Sequence, residues 1–314
     1  MPAPRTAMTG APQARPLAWG AMCGRYAAAS SSDELIEALE IDVDRTSDPV
    51  RSVLKSAQSP PAGDPDYNVA PSKNARVVVA RRPRDQGDSV EASGGLAGQA
   101  DAEGGQGRLQ RQLRLLTWGL VPSWAKDPAV GARMTNARAE TVFEKPAFRA
   151  AIASRRALVP ADGWYEWQTS PVATDAKGKP RKQPFFMHRP DGVPITFAGL
   201  FEFWRDPGAE RDDPLAWLTT FTIVTTAAEA GLERIHDRQP LVLDPDQWGA
   251  WLDPDAPAEQ VQALVATQRP GRFAAYPVGR AVGNSRSNGP ELLEPVGAAD
   301  LVGVVDPATG EVLG

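Results

Sequence analysis

Strand-like patterning dominates the middle and end of this chain. Residues 75–81 are a compact β-branched run, and Leu113, Leu115 and Thr117 share one period-two face ahead of Trp118. Segments 185–188, 195–203 and 217–226 are rich in aromatic and β-branched residues and predict further strands. Helical spacing is confined to short stretches. Ser31 and Glu34 stand three apart ahead of Leu35, Ile36 and Leu39, a capping box that predicts a helix start. Residues 146–154 put Phe148 and Ile152 at i and i+4. Residues 247–252 predict another short helix, and 257–267 one more with Pro257 in its first turn. Two stretches, 87–107 (Gly/Ala/Asp-rich) and 169–183 (Pro/Lys-rich), each separate strand-like runs and read as extended hairpin tips. There is no internal repeat. The pattern predicts an α+β fold, one domain built on mixed, mainly antiparallel strands.

Composition narrows the function classes. With 314 residues and 42% hydrophobic side chains the chain can bury a substantial core. No apolar run reaches the roughly 18 residues of a membrane helix, so no membrane partner is expected. One cysteine excludes an internal disulfide framework, and two histidines leave almost no Cys/His zinc set. The net charge of −5 argues against non-specific coating of nucleic acid. Locally the balance reverses: residues 105–160 carry ten Lys/Arg against Asp127, Glu140 and Glu144. Trp118, Trp124, Trp164 and Trp167 lie in or just beyond that segment, and bases of a single strand stack on such rings. Residues 1–22 are Pro/Ala-rich without a secretory h-region and read as a disordered leader or a mis-assigned start, absent from the mature protein.

Few residues can carry chemistry. Cys23 follows Met22 directly; losing everything before it would put an α-amine and a thiol on one residue. The amine titrates near 7.7–8.0 and the thiol near 8.5. Such a 1,2-aminothiol condenses with an aldehyde to an imine, and thiol addition then closes a thiazolidine. The bland alternative is a small buried hydrophobe. Glu166, flanked by Tyr165 and Trp167, is either a solvated strand residue or a desolvated acid/base with a raised pKa. His236 stands beside Asp237 and Arg238, and its one competitor, His188, lies in a predicted strand. Asn136 and Arg138 are either turn and surface residues or a pair that positions a nucleophile and holds a phosphate.

Six segments, in order, carry a family resemblance: Met22–Tyr26, Tyr67–Pro71, Trp118–Trp124, Asn136–Thr141, Ala161–Trp167 and Ile235–Leu241. Together they resemble the SOS-response-associated peptidase family of abasic-site processing proteins, over about residues 23–296. The resemblance implies a barrel-like core and a positively charged cleft for single-stranded DNA containing abasic sites. It implies a nucleophilic Cys23, oriented by Asn136, that captures the ring-opened sugar aldehyde as a thiazolidine. Glu166 would then be the acid/base of ring closure, and His236 would assist sugar opening and imine formation. Arg25, Arg138 and Arg238 would hold phosphates, with Trp118 and Trp167 flanking the flipped-out sugar. A cytoplasmic monomer without metal or cofactor is expected, with self-removal of the residues before Cys23 as the peptidase activity. As written, Cys23 is internal and cannot close the ring until its amine is released. Residues 297–314 form a tail beyond the resemblance. Two rival readings are an amidohydrolase with an N-terminal cysteine nucleophile and a non-catalytic reader of single-stranded or modified DNA.

Overall fold

The computed structural model describes residues 23–82, 108–267 and 269–313. The leader and the whole 87–107 stretch lie outside the described residues. In chain order the strands are β1 (Tyr26–Ala28), β2 (Val43–Asp44), β3 (Asp66–Val69), β4 (Asn74–Arg81), β5 (Gln110–Trp118), β6 (Asn136–Arg138) and β7 (Arg156–Ala161), then β8 (Gly163–Thr174), β9 (Pro180–His188), β10 (Ile195–Arg205), β11 (Trp217–Ala227), β12 (Arg238–Pro240) and β13 (Ala274–Pro277). The helices are α1 (Ser32–Ala38), α2 (Arg149–Ser154), α3 (Pro245–Leu252) and α4 (Ala258–Ala266).

Strands β4, β5, β11, β10 and β7 form a closed five-stranded ring. Four of its ladders are antiparallel, and a short parallel pairing of Thr117–Trp118 with Thr220–Phe221 closes it. Closure removes the exposed edges that such a sheet would otherwise present. A second, five-stranded sheet runs β13-β9-β8-β1-β3. Alternation along the ring strands divides the core. Val77, Val79, Leu116, Trp118, Val159, Phe197 and Phe221 pack with Tyr26, Trp164 and Phe185 of the second sheet. Val78, Leu113, Leu158 and Leu200, on the other face, pack with Leu35, Ile152, Trp248 and Val261 of the helices.

The helix ends show local logic. Ser31 Oγ accepts the Glu34 amide while the Glu34 carboxylate accepts the Ser31 amide, the expected capping box. Buried Arg156 donates to the carbonyls of Ile152, Ala153, Trp251 and Asp253, satisfying orphan oxygens at the C-termini of α2 and α3 together. One expected loop is different in the structure. Most of 169–183 belongs to β8 and β9, and the tip is only 175–179. The register shifts between Thr169 and Thr174, where Pro171 would interrupt a regular ladder.

Candidate active site

The site assembles where β1 meets β8. Tyr26 pairs with Trp164 and Ala27 with Gly163, and the Tyr165 amide donates to the Arg25 carbonyl. Continuing that antiparallel register brings residues 23–24 alongside 166–167. On the other side of β8, Gly163 lets β9 pack closely, because a Cβ there would lie 2.3 Å from the Met187 carbonyl oxygen. The Cys23 nitrogen donates to Glu166 Oε1 at 2.9 Å, and both residues are buried. Cys23 Sγ lies 3.9 Å from the carbonyl oxygen of Arg238. The Arg238 amide donates to His236 Nδ1 at 3.1 Å, which in the neutral ring leaves the proton on Nε2. Thus Cys23, Glu166 and the backbone of the His236 loop meet around one point. Asp237 Oδ1 stands 3.3 Å from the same Nδ1.

Desolvation sets the electrostatics. Burial pushes the Glu166 carboxyl up to about 8, although hydrogen bonds from Cys23 work in the opposite direction. Burial, and then the Glu166 charge, hold the Cys23 thiol well above its ordinary range. A buried carboxyl near neutrality beside a nitrogen and a thiol can accept a proton from one and return it to another.

The other expected residues divide into two groups. Asn136 opens β6, which runs parallel to β11 with Asn136 opposite Ile223, and its amide nitrogen lies 3.4 Å from Thr135 Oγ1. Arg138, on the same strand, is exposed. Trp167 is partly exposed. Arg25 donates to the Gly24 carbonyl at 3.3 Å and keeps a buried Nε without a hydrogen-bond partner.

Two expectations need correction. Trp118 offers no stacking face: it is 1% exposed, packs on Tyr26 and Phe221, and donates through Nε1 to the Thr135 carbonyl. Its position on the core-facing side of β5 decides this. Arg238 is not an open phosphate holder. Its guanidinium grips Glu140 with two bonds of 2.5 and 2.9 Å and also donates to the Thr225 carbonyl. It braces the 136–141 segment against the His236 loop. Trp124, six residues after Trp118, is 65% exposed. Its signal in the sequence was its place in the Trp-containing segment, after the strand has ended. Gln168, two residues beyond Glu166 on the same buried face, had no distinguishing signal in the sequence.

Known proteins resemble this chain over most of its length. The model of the family described as SOS response associated peptidase (SRAP) matches residues 22–285. Abasic site processing protein YoqW of Bacillus subtilis is 33% identical over 276 residues, covering 87% of this chain and 99% of that protein. Abasic site processing protein YedK of Escherichia coli is 30% identical, covering 88% and 100%. The rat protein HMCES, also called an abasic site processing protein, is 30% identical over 310 residues, covering 90% and 77%. A crystal structure of a Bacteroides thetaiotaomicron protein shares the fold, with a TM-score of 0.62 at 20% identity over 87% of this chain and 100% of that one.

Proposed function

The chain belongs to the SOS response associated peptidase family, and from that premise we propose that it captures abasic sites in single-stranded DNA through Cys23. The observation that carries this reading is the 2.9 Å contact between the Cys23 nitrogen and a buried Glu166 whose carboxyl is pushed up to about 8. Once Cys23 is the first residue, that nitrogen is an α-amine with an ordinary pKa of about 7.7–8.0. Amine and carboxyl, in contact and buried, then compete for one proton. When Glu166 holds it, the amine is the free nucleophile.

The reaction proceeds in balanced steps. His236 moves a proton from the anomeric hydroxyl to the ring oxygen, opening the sugar to its aldehyde. The Cys23 amine adds to the aldehyde carbon, and loss of one water gives the imine. Glu166 gives its proton to the imine nitrogen, and the resulting carboxylate takes the proton of the neutral thiol as sulfur attacks the imine carbon. The thiazolidine closes with a neutral ring nitrogen, and Glu166 ends protonated as it began. Arg25 and Arg138 neutralise phosphates, and Trp124 and Trp167 stack on neighbouring bases.

Backbone conformation supports release of the leader. Cys23 has φ +39°, a left-handed conformation that costs a non-glycine residue roughly 1 kcal/mol or more. An N-terminal residue has no preceding carbonyl and no φ, so the strain disappears when the leader is removed. The domain then comprises residues 23–296, followed by the 297–314 tail.

The test is incubation with a single-stranded oligonucleotide bearing an abasic site. Protein whose mass shows Cys23 as first residue should give a crosslink that survives denaturing electrophoresis. A chain forced to retain residues 1–22 should give none. Glutaminase activity without crosslinking would favour the amidohydrolase, and reversible binding alone the reader.

A further inference from the structure

We infer that Gln168, acting with the turn at residues 303–313, is the positioning residue for His236; the inference rests on the function proposed above. Glu166, Gln168 and Ser170 occupy successive inward positions of β8 and are 2%, 2% and 8% exposed. Glu166 meets Cys23. The next two residues on that face hold a segment beyond residue 285, where the family match ends. Gln168 Nε2 donates to the Val305 carbonyl at 2.9 Å, and its Oε1 accepts the Val305 amide at 2.7 Å. Ser170 Oγ donates to the Gly303 carbonyl at 2.5 Å. Gly303 allows this approach: its φ is +76°, and a Cβ would lie 2.7 Å from that of Ala173.

The same Gln168 nitrogen also donates to the Arg234 carbonyl at 3.1 Å. Arg234 ends a short 3-10 turn, Leu232–Arg234, and the amides of Ile235 and His236 both donate back to the Leu232 carbonyl. Fixing the Arg234 carbonyl therefore fixes the turn from which the His236 ring projects. The turn is held from its other side as well, because Arg234 Nη1 donates to the Pro307 carbonyl at 2.6 Å. The 303–313 segment is itself folded back, with Val305 bridging Val312 and the Asp306 amide on the Glu311 carbonyl. One buried amide thus ties together the strand of the acid/base, the loop of the histidine and the C-terminal turn. A neutral amide suits the position, since a charge two residues from Glu166 on the same face would disturb its ionisation.

The test uses protein verified to begin at Cys23 and follows the borohydride-trapped imine separately from the stable crosslink. Misplacement by 1 Å can cost on the order of 100-fold in rate. Gln168→Met should slow imine formation by roughly 10–100-fold, change its pH profile and leave affinity for intact single-stranded DNA unchanged. Exposed Arg234 gives a second route: Arg234→Met should slow the imine in the same way, and Arg234→Lys should recover much of the rate. The decisive comparison is Gln168→Met with His236→Ala, which should be no slower than His236→Ala alone. Additive losses, or an unchanged imine rate in folded Gln168→Met, overturn the inference. If Gln168→Met does not fold, an unchanged rate in Arg234→Met overturns it. Failure of the unsubstituted protein to crosslink is a different result and overturns the proposed function itself.

Discussion

Two buried carboxylates in this molecule have opposite surroundings. Asp244, 7% exposed, ends the connection from β12 to α3 and faces three cations. Arg189 and Arg272 donate to one oxygen at 2.8 and 2.6 Å, and Arg269 to the other at 2.8 Å. Burial alone would raise its pKa, but these arginines more than reverse that and hold it low. Glu166 is 2% exposed, and its partner is the Cys23 nitrogen, with no cation in salt-bridge contact among the described residues. Burial therefore prevails and its carboxyl rises to about 8. Depth is alike in the two; pairing differs. A paired carboxylate holds loops together, whereas an unpaired one keeps a proton available for exchange near neutral pH.

The largest effect should come from removing the exchangeable proton. Glu166→Gln keeps size and an acceptor oxygen for the Cys23 nitrogen but cannot transfer a proton. Ring closure should slow by about 10²-fold or more, so the reducible imine accumulates relative to the stable crosslink. Asp244→Asn should leave that ratio alone. A loss of less than about threefold in Glu166→Gln would place Glu166 with Asp244 as a structural carboxylate.

Stability should separate the pair next, in opposite directions. Asp244→Asn leaves half-buried Arg272 without a carboxylate and takes one of two from Arg189 and Arg269; it should cost up to roughly 3 kcal/mol, several degrees of melting temperature. Because the folded pKa of Asp244 is depressed, its contribution is present above the ordinary aspartate range, about 3.9. It is lost as pH falls through the lower folded value. The folded pKa of Glu166 is raised, so its contribution is full below about 4.3 and is gone once pH has risen through about 8. Glu166→Gln should therefore gain melting temperature over the parent between those values and gain no more above them. Parallel pH curves for the two variants would break the comparison.

These contrasts also explain which features were legible in the sequence. The β-branched run at 75–81 became β4 because its residues are buried on both faces and strand propensity agrees with burial. The capping box is a contact across three residues and was equally readable. β7, with Arg156 at its start and Pro160 near its end, has no clear alternation and was not anticipated. The tip of the β8–β9 hairpin reads longer in the sequence than it is, because of its Pro and Lys content, whereas backbone pairing carries the ladder past that composition. Cys23, Glu166 and His236 stood out because their residue types are rare or flanked by unusual neighbours. Arg238 could not be assigned correctly, because its partner Glu140 is 98 residues away. The Gln168 contact with Val305 spans 137 residues and was hidden for the same reason.

The smallest effect applies the same distinction to cations. Arg269 is charge-paired with Asp244 and Asp246, whereas Arg25 has no carboxylate in salt-bridge contact among the described residues and a buried Nε without a partner. Burial lowers the Arg25 pKa from its ordinary value, the cost of a cation that lacks an anion. A DNA phosphate would supply that anion and release counterions on binding. Each such contact on a single strand contributes about 0.7 to the slope of log affinity against log salt. Arg25→Gln should lower affinity and flatten that slope by about this amount. Arg269→Gln, which removes a charge already neutralised within the protein, should leave the slope unchanged. Trp124→Ala should weaken binding by about 1–3 kcal/mol per stacked base without altering the slope, because a ring displaces no counterion. An Arg25 variant with the parent's salt dependence would mean that the strand passes elsewhere, and the distinction between paired and open cations would not locate the groove.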